Sequence, residues 1–387
     1  MYLSGVKKVI KYIGYYDSEQ NLREGRIFSL AAKTKMDYIC NVLNQCGYAV
    51  YYVSLCRTRK SKAFLGKTIK LDEKNALRLF MTLGRSNKLR HALDYFLCKM
   101  QLLFYLLLNV REGELILVYH SLGYGNVIKF AKKIRRFRVI LEVEEVYQDA
   151  ADLSIKQQGL EYRLFDDADS FIFPSVLLDK KINKNNYPRL LIHGTYSTVE
   201  CSLSRFDDHF IHVVYAGTFE RLKGGAIAAV EAAGLLPENY HVHILGFGSE
   251  QEVEEILSLI ASVNSRSASR LTYHGMLTGL AYHELLSSCH IGISTQNPAL
   301  AFNDTSFPSK IFSYMAHGLQ VVSARINVVE TSAVGECVEY YDINSPRAIA
   351  DAIIRIDVNR NVDSRDILKK LNLSLVSEMP IFLQACC

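Results

Sequence analysis

Short runs of β-branched and aromatic residues recur along the chain, separated by longer stretches in which apolar and polar positions alternate with a helical period. Val9–Tyr15 and Tyr48–Leu55 are such runs, with Tyr38–Gln45 closing a helix between them. Leu115–Tyr119, Val139–Val143 and Ser170–Phe173 follow as further buried strands. The second half repeats the pattern. His212–Ala216 reads as a strand, 226–234 as an alanine-rich helix and His241–Gly248 as a strand and turn. Leu271–Gly275, a helix over Tyr282–Cys289, a strand over His290–Ser294 and a strand over Gln320–Ala324 complete it. Strands that are apolar almost throughout are buried on both faces. Their alternation with helices predicts an α/β protein built of parallel sheets with helices on both faces.

The chain of 387 residues is long enough for two α/β domains, with 49% hydrophobic and 22% charged residues, and 7 prolines and 22 glycines argue against low complexity. A polar stretch over 193–208 places the domain change. It predicts a first domain over 1–195 and a second over 205–365, with 366–387 a tail packing back on the first. The ending Pro380-Ile381-Phe382-Leu383 suits docking. Nine cysteines with no CxxC pair read as reduced thiols, and Met1–Lys8 is too short and polar for a signal peptide, so a cytoplasmic location is expected.

The most apolar stretch, Leu93–Val110, approaches a membrane span in length but is interrupted by Asp94, Lys99 and Gln101. A helix packed on the sheet is the first reading, an interfacial membrane helix the second and a span the last. The net charge of +5 is concentrated in the first half, at 57–67 and 129–138. A basic face of this kind suits anionic lipid headgroups or a lipid-pyrophosphate acceptor, hence contact with the inner face of the cytoplasmic membrane. No aromatic platform or motif for nucleic acid accompanies it.

Two segments look built for phosphate. Pro308-Ser309-Lys310 opens a helix, and a cation in a first turn opposes the helix dipole unless an anion comes between them. Upstream, strand His212–Ala216 ends at Gly217, followed by a loop holding Arg221 and Lys223 and a second helix start at Gly224-Gly225. Ligands of open α/β sheets collect at such strand ends.

The order of these pieces resembles the C-terminal, nucleotide-sugar-binding domain of family-4 (group 1) glycosyltransferases, which have the GT-B fold of two Rossmann-like domains with a cleft between them. The resemblance covers about half of the chain. It implies that Arg221 and Lys223 grip the donor diphosphate together with Gly217, Ser309 and Lys310. It implies also that Gly246, Gly248, His274 and Met276 lie near the base and ribose. The family carries two glutamates seven residues apart, and here those positions fall on Thr305 and Ser313. Ser313 can still bond a ribose hydroxyl, more weakly than a carboxylate would.

Three segments of the first half are candidates for chemistry. His120 follows strand Leu115–Tyr119, where in related enzymes a histidine lies beside the transferred sugar. Glu142, Glu144 and Glu145 cluster at the end of the next strand, where a carboxylate of raised pKa could deprotonate an acceptor hydroxyl. Pairing of these acids with the basic run 135–138 is the plainer alternative. The long polar loop Tyr15–Arg26 is expected to shape the acceptor side with Glu19, Arg23 and Arg26, the two arginines being available to an acceptor phosphate.

These readings predict a glycosyltransferase that takes a sugar from a nucleotide-diphosphate donor to a lipid-linked saccharide acceptor. By resemblance it retains anomeric configuration and serves bacterial capsule, O-antigen or exopolysaccharide assembly. No metal cluster is seen, so positive side chains and helix dipoles are expected to take a metal's place, and no cofactor is expected beyond the donor. Two alternatives stay open: a nucleotide-sugar epimerase on the same fold, and a non-catalytic module that binds a nucleotide sugar or a partner transferase.

Overall fold

A computed structural model describes residues 8–147, 154–200, 205–221, 224–298, 303, 306–360 and 362–387. The chain forms two compact units, one of 1–195 with 373–387 and one of 196–372.

The first unit begins with β1 (Val9–Gly14), α1 (Leu30–Gln45), β2 (Ala49–Ser54), β3 (Lys67–Lys70) and β4 (Ala76–Leu79). It continues through α2 (Lys88–Asn109), β5 (Leu115–Tyr119), α3 (Gly125–Arg135) and β6 (Arg138–Glu142). It then runs through α4 (Ile155–Asp166), β7 (Ser170–Phe173), α5 (Val176–Ile182) and β8 (Arg189–Leu191). Its described strands form one sheet in the order β3-β4-β2-β1-β5-β6-β7-β8. Only the β3–β4 pair is antiparallel among them. The order reverses direction between β1 and β5, so the segments after β1, β5 and β6 leave the sheet side by side.

α2 shows how a helix can be apolar on two sides. Asp94, Cys98, Leu102 and Leu106 recur every fourth residue and form the buried stripe. Asp94, which interrupts the apolar run, belongs to that buried side: Thr82 Oγ1 and the Leu83 amide donate to its carboxylate at 2.9 and 2.6 Å. The opposite side leaves Leu89, Phe96, Phe104 and Leu108 exposed. The helix is long and apolar enough to cross a membrane by length and composition. Its one acid, Asp94, is nevertheless held inside the protein, so packing on the unit accounts for one face and leaves the other exposed.

The second unit runs through β9 (Ile211–Thr218), α6 (Gly225–Ala233), β10 (Tyr240–Phe247), α7 (Glu250–Asn264) and β11 (Arg270–Tyr273). α8 (Gly279–Ser288), β12 (Ile291–Ser294), α9 (Ser309–Ala316) and β13 (Gln320–Ala324) follow. α10 (Asn327–Glu330), β14 (Val338–Tyr341), α11 (Pro346–Arg355) and α12 (Ser364–Ala385) close the chain, and residues 373–387 of α12 count with the first unit. The described strands form a parallel sheet in the order β11-β10-β9-β12-β13-β14, which reverses between β9 and β12.

Tyr314 locks α9 to this sheet. Its buried hydroxyl accepts from the Ala216 amide at 2.9 Å and donates to the Ile293 carbonyl at 3.2 Å. Gly292 on β12 makes room for the ring, since a Cβ there would lie 2.2 Å from Tyr314 Cγ. Gly292→Ala is expected to cost about 1–3 kcal/mol through overpacking. Urea denaturation checks this, and an unchanged midpoint would show that the ring can yield.

Candidate functional site

The C-terminal ends of β9 and β10 carry a cavity of ≈ 220 Å³, lined among others by Gly217, Gly246, Phe247, Met276, Leu277 and Tyr282. Phe247 and Met276 are 53% and 63% exposed, large apolar side chains with one face in water beside the hollow. Such an apolar slot with a few polar groups at its rim is the usual form of a small-molecule site. Gly246 is fixed by two constraints: its φ is +154°, and a Cβ would fall 1.8 Å from the Gly217 carbonyl oxygen. Gly248 is exposed just beyond, before the Ser249 cap of α7.

Lys310 reaches this rim from α9. Its Nζ donates to the Tyr215 hydroxyl at 2.9 Å and stands 4.1 Å from the centre of that ring. A Cβ on Gly217 would lie 2.4 Å from Lys310 Cε and Nζ, so glycine here is what lets the ammonium lie across the end of β9. Ser309 is exposed in the first turn of α9, whose Pro308 cap makes no side-chain hydrogen bond. α6 also starts without a side-chain cap, from Gly224 at φ +62°. Two helix starts therefore present first-turn amides without a capping side chain beside one lysine, on both sides of the point where the strand order reverses. Ser313, one turn into α9, is 3.1 Å from the Tyr282 hydroxyl on the cavity wall.

Other expected donor residues fall differently. Arg221 is largely exposed, and its Nε donates to Glu255 Oε2 of α7 at 2.8 Å. Lys223 and Thr305 lie outside the described residues. His274 does not line the cavity, because its Nε2 faces His243 Nδ1 at 2.9 Å. The sequence reading had no means to anticipate that turn of the ring.

In the first unit, His120, Glu144 and Glu145 do gather at the ends of β5 and β6. His120 is buried, stacks on Tyr147 with ring centres 4.5 Å apart, and has Nε2 3.4 Å from Glu161 Oε1. Burial holds its pKa down to about 3, so the ring is neutral at physiological pH. Glu161, from α4, also accepts from the Tyr147 amide at 2.8 Å. Its place beside His120 gave no sign in the sequence, where it is one acid in an ordinary helix. Glu144 is half-buried with Lys35 Nζ at 3.3 Å, and Glu145 is half-buried next to it. Among the contacts described, the basic run 135–138 does not take these acids, and Glu144 pairs with Lys35 instead. Glu142 is fully buried and accepts from the Tyr12 hydroxyl. Desolvation first and the neighbouring Glu144 second push its pKa up to about 8.

The loop after β1 contains a short 3₁₀ helix, Glu19–Glu24. Glu19 and Arg23 are exposed on it, and Arg23 borders a cavity of ≈ 290 Å³ with Asn21, Lys62 and Lys67. Arg26 corrects the expectation of a free phosphate ligand. It is 5% exposed, its Nε donates to Glu24 at 2.7 Å, and Nη1 donates to the Cys56 and Phe80 carbonyls at 2.7 and 3.0 Å. It holds the loop to the sheet. Lys62 and Lys67, which the sequence shows only as part of a charged run, border the cavity alongside Arg23.

Residues 211–357 match the model of the group 1 glycosyl transferases. No curated protein matches this chain in sequence. Among solved structures, the E. coli trehalose-6-phosphate structure bound with UDP-2-fluoro glucose is similar at TM-score 0.66 and 9% identity, covering 98% of this chain and 99% of that one. The α,α-trehalose-phosphate synthase (UDP-forming) of Burkholderia xenovorans in complex with glucose-6-phosphate gives 0.67 at 10% identity, covering 98% and 100%. Anabaena Alr3699/HepE in complex with UDP and glucose gives 0.61 at 12% identity, again covering 98% and 100%. The chain thus has the two parallel-sheet α/β domains of a GT-B fold, and the second of them carries the match to the group 1 glycosyl transferases.

Proposed function

We propose that the protein transfers a sugar from a UDP-sugar to a saccharide acceptor, with retention of configuration, in cell-surface polysaccharide synthesis. The observation that carries the reading is Lys310 lying across the end of β9, between two helix starts and beside the apolar slot of Phe247 and Met276. A diphosphate at the lysine puts a base into the slot and a ribose near Ser313 and Tyr282. Lys310 and the first-turn amides of α6 and α9 would stabilise the charge that grows on the leaving UDP, which supports transfer without a metal at the diphosphate. Lys223 belongs to the same loop. Arg221 can join by leaving Glu255, since an exposed ion pair of this kind holds weakly. UDP is the base of choice because structurally similar proteins are described with UDP or a UDP-sugar.

His120, Glu144 and Glu145 are proposed for the transferred sugar and the acceptor hydroxyl, and Glu19 and Arg23, with Lys62 and Lys67, for the acceptor side. A lipid-linked acceptor and a peripheral hold on the inner face of the cytoplasmic membrane are supported by the exposed face of α2 and the adjoining α3. There Phe96, Phe104, Phe130 and Ile134 are each at least half exposed, and Lys132, Lys133 and Arg135 fill the last turn of α3. Nucleotide-sugar binding without transfer is the second reading. It is favoured by the neutral Ser313 and by the engagement of Arg221 with Glu255.

Thermal denaturation with UDP, GDP, dTDP and CMP tests the donor site. UDP at about 100 times its dissociation constant should add roughly 2.7 kcal/mol of stability, and a panel with no response to UDP would sink the reading. Ser313→Glu places a carboxylate where the ribose is expected and should tighten UDP about tenfold, as a charged acceptor strengthens the bond. An unchanged or weaker affinity would show that the ribose lies elsewhere. Release of UDP only when a lipid-linked saccharide is added separates transfer from binding alone.

A further inference from the structure

Parallel register between β9 and β10 sets His241 opposite His212. Alternation along β10 puts His243 on the same face, and the register between β10 and β11 sets Thr272 opposite His243. One ring nitrogen from each of His212, His241 and His243 lies within 4.8 Å of the other two. His212 and His243 are 1% and 2% exposed, while His241 is half-buried.

The remaining nitrogens are each spoken for. His212 Nε2 is 2.9 Å from Asp208 Oδ1, His243 Nδ1 is 2.9 Å from His274 Nε2, and His241 Nε2 is 2.8 Å from Thr272 Oγ1. His212 Nδ1 and His243 Nε2 face one another, and the His241 ring brings a nitrogen within 4.8 Å of them. Metal-binding histidines ordinarily have this arrangement, in which the second N–H is fixed by a carboxylate, hydroxyl or other acceptor so that the first presents its lone pair. Asp208, 37% exposed at its side chain, marks the edge from which an ion could enter.

We propose that His212, His241 and His243 bind one divalent transition-metal ion of the zinc class, with water or a further ligand in the fourth position. Imidazole suits zinc, and three histidines with an open place form a familiar tetrahedral set. His212 Nδ1 and His243 Nε2 stand 2.8 Å apart and share a hydrogen bond. Ligand nitrogens at about 2.0–2.1 Å from a tetrahedral ion are about 3.4 Å apart, so binding asks these two to part by little more than half an ångström. The proton between them leaves for solvent, and His243 keeps its Nδ1–H on His274. Two cations border the cluster and are held by other groups: the Arg270 guanidinium lies 4.3 Å from the Phe210 ring centre, and Arg205 donates to the Ser287 and Gly318 carbonyls. Asp208 supplies the offsetting negative charge. The ion would clamp β9 to β10 independently of whether the donor site works as proposed.

Tag-free full-length protein, stripped with chelator and titrated with zinc chloride alone, should take up one zinc per chain by elemental analysis and melt higher. Cobalt chloride in its place should give the visible bands of a tetrahedral nitrogen-ligated ion, displaced by zinc. His241→Gln should abolish uptake. Asp208→Asn, at an exposed position, should fold normally and weaken zinc by about 10–100-fold, the usual effect of losing such a partner. His283→Gln, from the separate His283–His317 pair, should bind as the parent does. Substoichiometric zinc, a thiolate-to-cobalt charge-transfer band, or equal loss in the His241 and His283 variants would overturn the proposal.

Discussion

Lys310→Ala is expected to weaken UDP binding by about 10–100-fold. Hydrogen bonds to a charged partner contribute about 1.5–3 kcal/mol each, and Lys310 is the described cation that lies directly across the end of β9. Without ligand the ammonium donates to the Tyr215 hydroxyl and stands over the face of that ring. If the lysine also meets charge that grows as the diphosphate leaves, kcat should fall further than UDP affinity does, because that interaction is stronger in the transition state. Calorimetric titration with UDP and steady-state kinetics read the two effects separately. A change in affinity smaller than twofold would remove Lys310 from the donor site.

Stability should fall as pH rises from about 5 to about 8, and Glu142→Gln should flatten much of that fall. The carboxyl of Glu142 is fully buried, and desolvation with Glu144 alongside raises its pKa from 4.5 to about 8. Below pH 4.5 it is protonated in both folded and unfolded chains and contributes no pH dependence. Between the two values the unfolded chain releases the proton and the folded chain keeps it, so the unfolded state is progressively favoured. Each pH unit of such a difference is worth about 1.4 kcal/mol, which bounds the whole effect at roughly 5 kcal/mol. The Tyr12 bond and Lys35 pull the other way, and the value of about 8 already includes them. Urea midpoints at pH 5, 6, 7 and 8 decide the matter. Parallel profiles for the parent and Glu142→Gln would mean that the carboxylate is already ionised, held by Lys35 and Tyr12. The same proton matters for the proposed chemistry: a neutral Glu142 beside Glu144 leaves Glu144 the better base for an acceptor hydroxyl.

Much of the frame could be read from local pattern. The central strands β1, β2, β5, β6, β7, β9, β10, β12 and β13 fall within a residue or two of the apolar runs, because a strand buried on both faces must be apolar almost throughout. Edge pieces were not legible. β3 reads Lys67-Thr68-Ile69-Lys70 and β8 only three residues, and neither needs a continuous apolar run, having a neighbour on one side alone. The cavity at the ends of β9 and β10 was partly legible. Gly217, Gly246 and Lys310 announced themselves by turn chemistry and by a cation placed against a helix dipole.

Arg26 and Asp94 show where local reasoning stops. Arg26 sits in a polar loop and Asp94 interrupts an apolar run, yet Arg26 bonds to carbonyls of residues 56 and 80, and Asp94 to residues 82 and 83. Whether a charged side chain is solvated or buried depends on partners far along the chain, and no periodicity encodes those partners. The histidines make the same point more sharply. Singly, His212, His241 and His243 are ordinary strand residues, two of them about thirty positions from the third. The sequence by itself determined the strands that carry them, the helix start that aims Lys310, and the glycines that let it lie across β9. Only the tertiary structure decided which rings meet, because register between parallel strands is set by how the intervening helix packs across the sheet rather than by anything in the strands themselves.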